Sequence, residues 1–139
     1  DAVPVMSGGL LAISKRWWNE TGGYDGTMSG WGGENIDQSL RIWRCGGEIV
    51  SAPTSRVAHM WRDGTAATRA KYKVPPGAAQ RNKARAAKAH MGRFFEKTLS
   101  FPSFRTWAPN HGVDLTTLAI TSALPATCRS FEWYLERFA

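Results

Sequence analysis

Four pairs of adjacent glycines divide the first 47 residues of this 139-residue chain into short segments. The pairs stand at residues 8–9, 22–23, 32–33 and 46–47. Paired glycines end helices and mark bends or close backbone contacts in strands, so they set the boundaries of the elements. The segments between them have the apolar spacing of strands and helices in turn, which predicts a single α/β domain.

The predicted elements follow from these boundaries and from the apolar periodicity. Ser14 is a good helix cap, and the first predicted strand contains Gly8-Gly9, which indicates close approach by a ligand or another strand. We predict strands at residues 3–13, 48–50 and 56–61 and helices at residues 14–20, 34–43, 79–97 and 128–138. Residues 62–78 have no regular periodicity and are predicted to form a long loop that could act as a lid. Residues 114–122 could form a short helix or a strand.

The net charge of +7 is confined to one part of the chain. Residues 62–105 contain eleven Lys and Arg but only two Asp and Glu, whereas both flanks are close to neutral. Such a segment could bind a phosphate-bearing ligand, an acidic polypeptide, a membrane surface or nucleic acid, or it could be a solvated helix face. Because much of the excess lies on the predicted surface of the 79–97 helix, we expect no nucleic-acid partner. No apolar run approaches the ~20 residues of a membrane span, so we expect no membrane contact by this segment.

The run Trp31-Gly32-Gly33-Glu34-Asn35 has the residue types of a sugar pocket. An indole covers the apolar C–H face of a pyranose, Glu and Asn bind its hydroxyls, and glycines let the backbone come close. The run also stands at the predicted start of a helix, where free N–H groups favour a polar or negative ligand. A Trp beside paired glycines is also typical of a packed turn.

His59 and Arg62 follow on a predicted strand and at its end. A neutral imidazole can bind a divalent metal, and a guanidinium nearby can share the charge of a diphosphate that the metal also binds. Transfer from a nucleotide sugar needs that combination, because the leaving diphosphate gains charge. A lone His on a strand is otherwise a packed or hydrogen-bonded residue. Cys45 and Cys128 could form a bridge or remain buried thiols.

Together these motifs resemble the polypeptide N-acetylgalactosaminyltransferases, which transfer GalNAc from UDP-GalNAc to Ser or Thr of proteins. The resemblance covers nearly the whole chain, in order and spacing. Its matching segments are Met6-Ser7-Gly8-Gly9-Leu10, Trp31-Gly32-Gly33-Glu34-Asn35, Arg41-Ile42-Trp43-Arg44-Cys45-Gly46-Gly47, Arg56-Val57-Ala58-His59-Met60-Trp61-Arg62 and the residues Cys128, Phe131, Trp133, Tyr134, Leu135 and Glu136.

The resemblance implies a partial GT-A fold, the C-terminal half of a Rossmann-like nucleotide-sugar transferase domain. Residues 1–139 would be the C-terminal portion of one catalytic domain, with no lectin domain in this chain. The implied activity is a retaining, metal-dependent GalNAc transfer to a Ser/Thr polypeptide, which starts mucin-type O-glycosylation.

The resemblance also implies a role for each matched residue. Trp31, Glu34 and Asn35 would line the catalytic pocket, and Gly8 and Gly9 would let the backbone reach the sugar. His59 would bind Mn²⁺. The UDP side would contain Arg62, a phosphate contact, and Tyr72, which would belong to a mobile loop closing over UDP.

Cys45 and Cys128 match a disulfide pair of the family. The resemblance therefore implies the Golgi lumen, with the chain forming part of a type II membrane protein whose anchor is absent here. The Asp-x-His motif that supplies the family's other manganese ligands is not in the chain, because Asp25, Asp37, Asp63 and Asp114 have no His two residues later. We therefore expect the isolated 139 residues to have little or no activity.

Two alternatives remain at this point. One is a related galactosyl- or GalNAc-transferase with a saccharide acceptor, because a Trp-Gly-Gly-Glu motif also occurs there. The other is a non-catalytic basic module that binds polyanions through residues 62–105 and whose binding would be salt-sensitive.

Overall fold

The computed structural model describes residues 1–107 and 124–139, and the element predicted at residues 114–122 lies outside them. Within these ranges the helices are α1 (Lys15–Glu20), α2 (Glu34–Arg44), α3 (Ala66–Lys71), α4 (Ala78–His90), α5 (Phe95–Leu99) and α6 (Phe131–Phe138). A 3-10 turn at Gly92–Phe94 precedes α5, and a π-helical turn at Ser103–Trp107 follows it. No helix in the described ranges has the length and apolarity that crossing a membrane requires.

Helices α1, α2 and α6 confirm the sequence predictions. The Ser14 hydroxyl accepts a hydrogen bond from the Trp17 N–H at 3.2 Å, and the Ser130 hydroxyl accepts one from the Trp133 N–H at 3.2 Å. Each cap satisfies one N–H group that has no partner inside its helix. Helix α6 begins three residues later than predicted because Cys128 lies in a turn, where its N–H bonds to the Pro125 carbonyl at 2.9 Å.

The predicted strands at residues 3–13 and 56–61 are wrong for the described structure. In the described residues, strand-like backbone pairing is confined to residues 1–3 and 49–51, where Ala2 and Val50 form an isolated antiparallel bridge. Side chains of α2 bond the backbone that a neighbouring strand would otherwise pair. Met6 donates its N–H to the Ser39 hydroxyl at 3.0 Å and accepts from the Asn35 amide at 3.1 Å. The first segment is therefore extended along α2 instead of forming a sheet.

The predicted loop at residues 62–78 contains a helix, α3. Thr65 caps it by accepting from the Thr68 N–H at 3.3 Å, and the Asp63 carboxylate accepts from the hydroxyls of both threonines. These hydrogen bonds, with that from Thr68 the largest, lower the pKa of Asp63. The sequence carried a cap at this position, but a six-residue helix is too short to show periodicity.

The predicted helix at residues 79–97 is two helices. Helix α4 ends at His90, and Gly92 begins the 3-10 turn that leads into α5. The apolar stripe continues through the break because Met91 and Phe94 both pack against the core. The apolar periodicity therefore predicted the buried face correctly, but it did not indicate that one helix ends there and another begins.

Helix α2 lies at the centre of the described molecule and packs against α4 and α6. Its Leu40 and Trp43 are buried with Phe131 and Tyr134 of α6. The Trp43 indole N–H donates to the Val3 carbonyl at 3.0 Å, and the Tyr134 hydroxyl donates to the Pro4 carbonyl at 3.0 Å. The extended first segment is thus attached to the core by two aromatic residues.

Candidate functional site

The start of α2 lies against the backbone of the first segment. The Asn35 amide donates to the Met6 carbonyl at 3.1 Å, and a Cβ built on Gly8 would lie 2.8 Å from Glu34 Oε1. A side chain at residue 8 would therefore displace the Glu34 carboxylate from this position. The sequence predicted close approach by a ligand or another strand at Gly8-Gly9, whereas the close neighbour of Gly8 in the structure is the Glu34 side chain of α2. A Cβ built on Gly9 would have no described atom within 4 Å, so the space beside this residue is open.

Tyr24 is a member of this group that the sequence did not indicate. Its hydroxyl lies 3.5 Å from the Gly8 carbonyl oxygen. Burial raises the pKa of Tyr24, and the negative charge of Glu34 raises it further. The phenol therefore remains protonated at neutral pH and can donate a hydrogen bond beside Glu34. In the sequence it stood in a turn-forming stretch, where nothing distinguished it from a loop residue.

Trp31 projects from the loop that leads into α2. Trp31 is 63% exposed, which is unusual for a residue with so large an apolar side chain. A flat, exposed indole can cover a sugar face, and the carboxylate of Glu34 and the carboxamide of Asn35, which follow closely in the chain, can bind hydroxyls.

His59, Arg62 and Tyr72 lie on the exposed basic segment after residue 55. The His59 ring lies 4.2 Å from the Trp61 ring, and the Arg62 guanidinium carbon lies 3.6 Å from the centre of the Tyr72 ring. The second contact is a cation–π interaction, so the structure brings Arg62 and Tyr72 together. In the described ranges, neither His59 nor Arg62 forms a hydrogen bond or an ion pair with the group at the start of α2.

Residues 1–107 and 124–139 contain no group of three or more His, Cys, Asp or Glu side chains that could hold a metal ion. His59 is a single exposed imidazole, and a bound divalent ion normally takes several protein ligands. These residues therefore do not form a metal site by themselves.

A buried polar network connects α2 and α4, and the sequence reasoning missed most of it. Asp37 bonds Arg41 at 2.5 Å and His90 Nε2 at 2.8 Å, and the Arg44 guanidinium lies 3.3 Å from His90 Nδ1. A carboxylate only accepts and a guanidinium only donates, so His90 carries its proton on Nε2. Burial lowers the pKa of Arg44, opposed by the charge of Glu132. The sequence signal for this network is the pair of opposite charges at Asp37 and Arg41, which stand four residues apart on one helix.

A second buried ion pair corrects the placement of Arg85. The sequence predicted that much of the basic excess lies on the surface of the 79–97 helix, but Arg85 of this helix bonds Asp25 Oδ2 through Nη2 at 2.8 Å and Nε at 3.1 Å. The side chains of Arg85 and Asp25 are 12% and 4% exposed. Part of the positive charge of residues 62–105 is therefore compensated inside the molecule, by the carboxylate of Asp25.

Cys45 and Cys128 form a disulfide, which confirms the pairing that the resemblance implied. Beside it the Arg129 N–H donates to the Arg44 carbonyl at 2.7 Å. The bridge joins the end of α2 to the turn before α6.

Comparisons with known proteins identify the family. Residues 2–63 match the family model described as the N-terminal domain of galactosyltransferase. The chain is 43% identical over 137 residues to polypeptide N-acetylgalactosaminyltransferase 4 of Caenorhabditis elegans, covering 96% of this chain and 22% of that protein. It is 37% identical over 139 residues to polypeptide N-acetylgalactosaminyltransferase 3 of Drosophila melanogaster, covering 97% of this chain and 20% of that protein.

The fold agrees with these matches. The crystal structure of GalNAc-T7 with UDP, GalNAc and Mn²⁺ matches with a TM-score of 0.61 and 25% identity, covering 99% of this chain and 24% of that one. The described elements are therefore part of a GT-A glycosyltransferase fold, which confirms the predicted fold class although the local strands are absent from the described residues. The chain spans about a fifth of the length of these curated relatives. By sequence and fold it belongs to the polypeptide N-acetylgalactosaminyltransferase family.

Proposed function

We propose that this chain is the C-terminal portion of the catalytic domain of a retaining glycosyltransferase that moves GalNAc from UDP-GalNAc to Ser or Thr of polypeptides. The observation that carries the proposal is the start of α2, where Glu34 and Asn35 are held against residues 6–8 a few residues after the exposed Trp31. The 43% identity to a polypeptide N-acetylgalactosaminyltransferase supports this reading of the site.

In the proposed site each group has a distinct part. Trp31 covers the apolar face of the sugar, while Glu34 and Asn35 bind its hydroxyls and the reacting region. Gly9 gives the sugar access to the backbone, because open space surrounds its built Cβ, and Gly8 leaves room for the Glu34 carboxylate. The free N–H groups at the start of the eleven-residue α2 add positive potential.

Arg62 and Tyr72 are proposed to bind the diphosphate of UDP. The guanidinium balances the charge that the leaving diphosphate gains, and stacking on Tyr72 holds the guanidinium in place. We assign His59 as one protein ligand of Mn²⁺, which when bound supplies further positive charge to the same leaving group. Because the described residues do not complete a metal site, the other ligands would lie outside them.

The disulfide supports an oxidising compartment, and we propose the Golgi lumen of the secretory pathway. Membrane attachment would be that of a type II protein, through a segment outside this sequence. A second candidate function, transfer to a saccharide acceptor, is favoured by the match of residues 2–63 to the galactosyltransferase domain model.

The test is a transfer assay on the full-length protein with UDP-GalNAc, Mn²⁺ and either a Thr/Ser peptide or a saccharide acceptor. We expect transfer to the peptide and a loss of about 100-fold or more in His59→Ala, because removal of a metal ligand removes charge stabilisation in the transition state. Met60→Ala is the matched control, since Met60 is the next residue and is 94% exposed.

The outcomes separate the two functions. Transfer only to the saccharide would support the second candidate, and normal turnover by His59→Ala would overturn the metal role. We expect the isolated 139 residues to transfer little or nothing, because the described residues cannot hold the metal on their own.

A further inference from the structure

Helix α4 holds the loop that precedes α2 at two points close to Trp31. The Asn82 side chain, in a residue only 3% exposed, donates its amide N–H to the Ser29 carbonyl at 2.9 Å. On the other side of Trp31, a Cβ built on Gly33 would lie 2.7 Å from the Asn82 carbonyl carbon and 2.7 Å from its Cβ. Asn82 therefore contacts the loop both before and after Trp31.

Arg85, one turn further along α4, fixes the beginning of the same loop. Its guanidinium bonds Asp25 through two nitrogens, and Asp25 in turn accepts from the Thr27 N–H at 2.9 Å and the Thr27 hydroxyl at 2.6 Å. The Met28 N–H closes the turn on the Asp25 carbonyl at 3.0 Å. The turn at residues 25–28 is thus built around the carboxylate that Arg85 neutralises.

We propose that Asn82 and Arg85 are positioning residues for Trp31. This inference rests on the proposed function, because it assigns these two residues to the sugar-binding loop of that site. Because Trp31 is 63% exposed, core packing constrains its indole little, and its orientation depends on the backbone on either side of it. Asn82 fixes that backbone directly, and Arg85 fixes the turn from which it starts.

The first experiment measures positioning without reference to activity. Amide hydrogen exchange of residues 29–35 is compared between the wild type, Asn82→Ala and Lys83→Ala. We expect at least tenfold faster exchange in Asn82→Ala and no change in Lys83→Ala, since Lys83 is the next residue and its side chain is exposed. Unchanged exchange in Asn82→Ala would overturn the proposal.

If Asn82→Ala does not fold, Asn82→Asp replaces it in the exchange experiment. This variant keeps the side-chain shape and removes the amide N–H that the Ser29 carbonyl accepts. Arg85→Lys keeps the charge beside Asp25, so it should exchange more slowly at residues 25–28 than Arg85→Ala. Equal exchange in the two Arg85 variants would contradict the part assigned to that ion pair.

The second experiment measures the consequence for transfer in the full-length protein. We expect Asn82→Ala to lower kcat about tenfold while the affinity for UDP changes less than twofold, because a displaced sugar-binding group affects the reacting geometry. On a Trp31→Ala background the same substitution should cost less than twofold.

Independent, multiplicative losses in Asn82→Ala and Trp31→Ala would overturn the link to Trp31. An equal loss of UDP affinity would show a general structural defect and would overturn it as well. If the wild type transfers no GalNAc, the proposed function fails, and the exchange experiment still decides whether Asn82 and Arg85 position the loop.

Discussion

Gly33 is the residue at which the geometry of the site is most tightly constrained. It precedes α2 with a φ of +97°, which favours glycine, and the backbone of α4 lies within 2.8 Å of where its Cβ would be. Two separate requirements therefore meet at one position. The first comes from the turn into the helix and the second from the packing of α4.

Gly33→Ala and Gly46→Ala together separate these requirements. Gly46 has a nearly equal φ of +95°, and no described atom lies within 4 Å of its built Cβ. We expect Gly46→Ala to cost about 1–2 kcal/mol of unfolding free energy from backbone strain, and Gly33→Ala to cost about 1–3 kcal/mol more from the clash with α4. Urea unfolding of both variants measures the difference. Equal losses would mean that α4 does not press on Gly33 in solution.

At the scale of elements, α2 and α4 are joined by polar groups as well as by apolar packing. Asp37, Arg41 and His90 are buried together, and each has a partner in the network. Buried charges are tolerated only when they are paired, so the two helices can approach only in the register that satisfies these groups. That register also brings Asn82 to the loop before α2.

Asp37→Ala should therefore destabilise the chain strongly. It leaves Arg41 without its carboxylate partner in a buried position, and we expect a loss of about 3–5 kcal/mol in unfolding free energy. Glu20→Ala is the matched control, because Glu20 pairs with Arg16 at the same four-residue spacing on the surface. We expect no measurable loss there. Thermal and urea unfolding give both values, and similar losses would show that the Asp37 pair is not buried in solution.

At the scale of the whole molecule, the extended first segment and the last helix are brought together across the full length of the chain. The Cys45–Cys128 disulfide closes a separation of 83 residues, and Tyr134 reaches back to the Pro4 carbonyl. These contacts stabilise a described structure that has no β-sheet in residues 1–107 and 124–139 to hold its ends.

Removing the bridge should lower stability because it releases a long loop in the unfolded chain. Replacing both cysteines by alanine is expected to cost about 4–5 kcal/mol by the loop-closure estimate. The control is the wild type under reducing conditions, which should unfold at the same denaturant concentration as the double variant. A reduced wild type as stable as the oxidised one would show that the surrounding contacts, such as the Arg129–Arg44 bond, suffice on their own.

Local signals carried the correct predictions. Ser14 and Ser130 cap their helices, Gly46 follows the end of α2, and the apolar spacing identified the inner faces of α2 and α6, because caps and periodicity act within a few residues. The pairing of Cys45 with Cys128 came from family resemblance, and the disulfide is present in the structure. The residue types at the start of α2 indicated the proposed sugar pocket before any resemblance was considered. The strands at residues 3–13 and 56–61 failed, since a strand exists only when another strand pairs with it.

The sequence by itself determined the caps of α1 and α6, the end of α2 and the inner faces of α2 and α6, and it supplied the residue types of the proposed sugar site, since these depend on near neighbours in the chain. Only the tertiary structure decided what surrounds them. It placed Glu34 against Gly8, turned Arg85 inward to Asp25 and brought Asn82 to both sides of Trp31. Those contacts join residues 26 to 60 positions apart, where no periodicity or cap connects the partners, and they form only because α2 and α4 pack in one register.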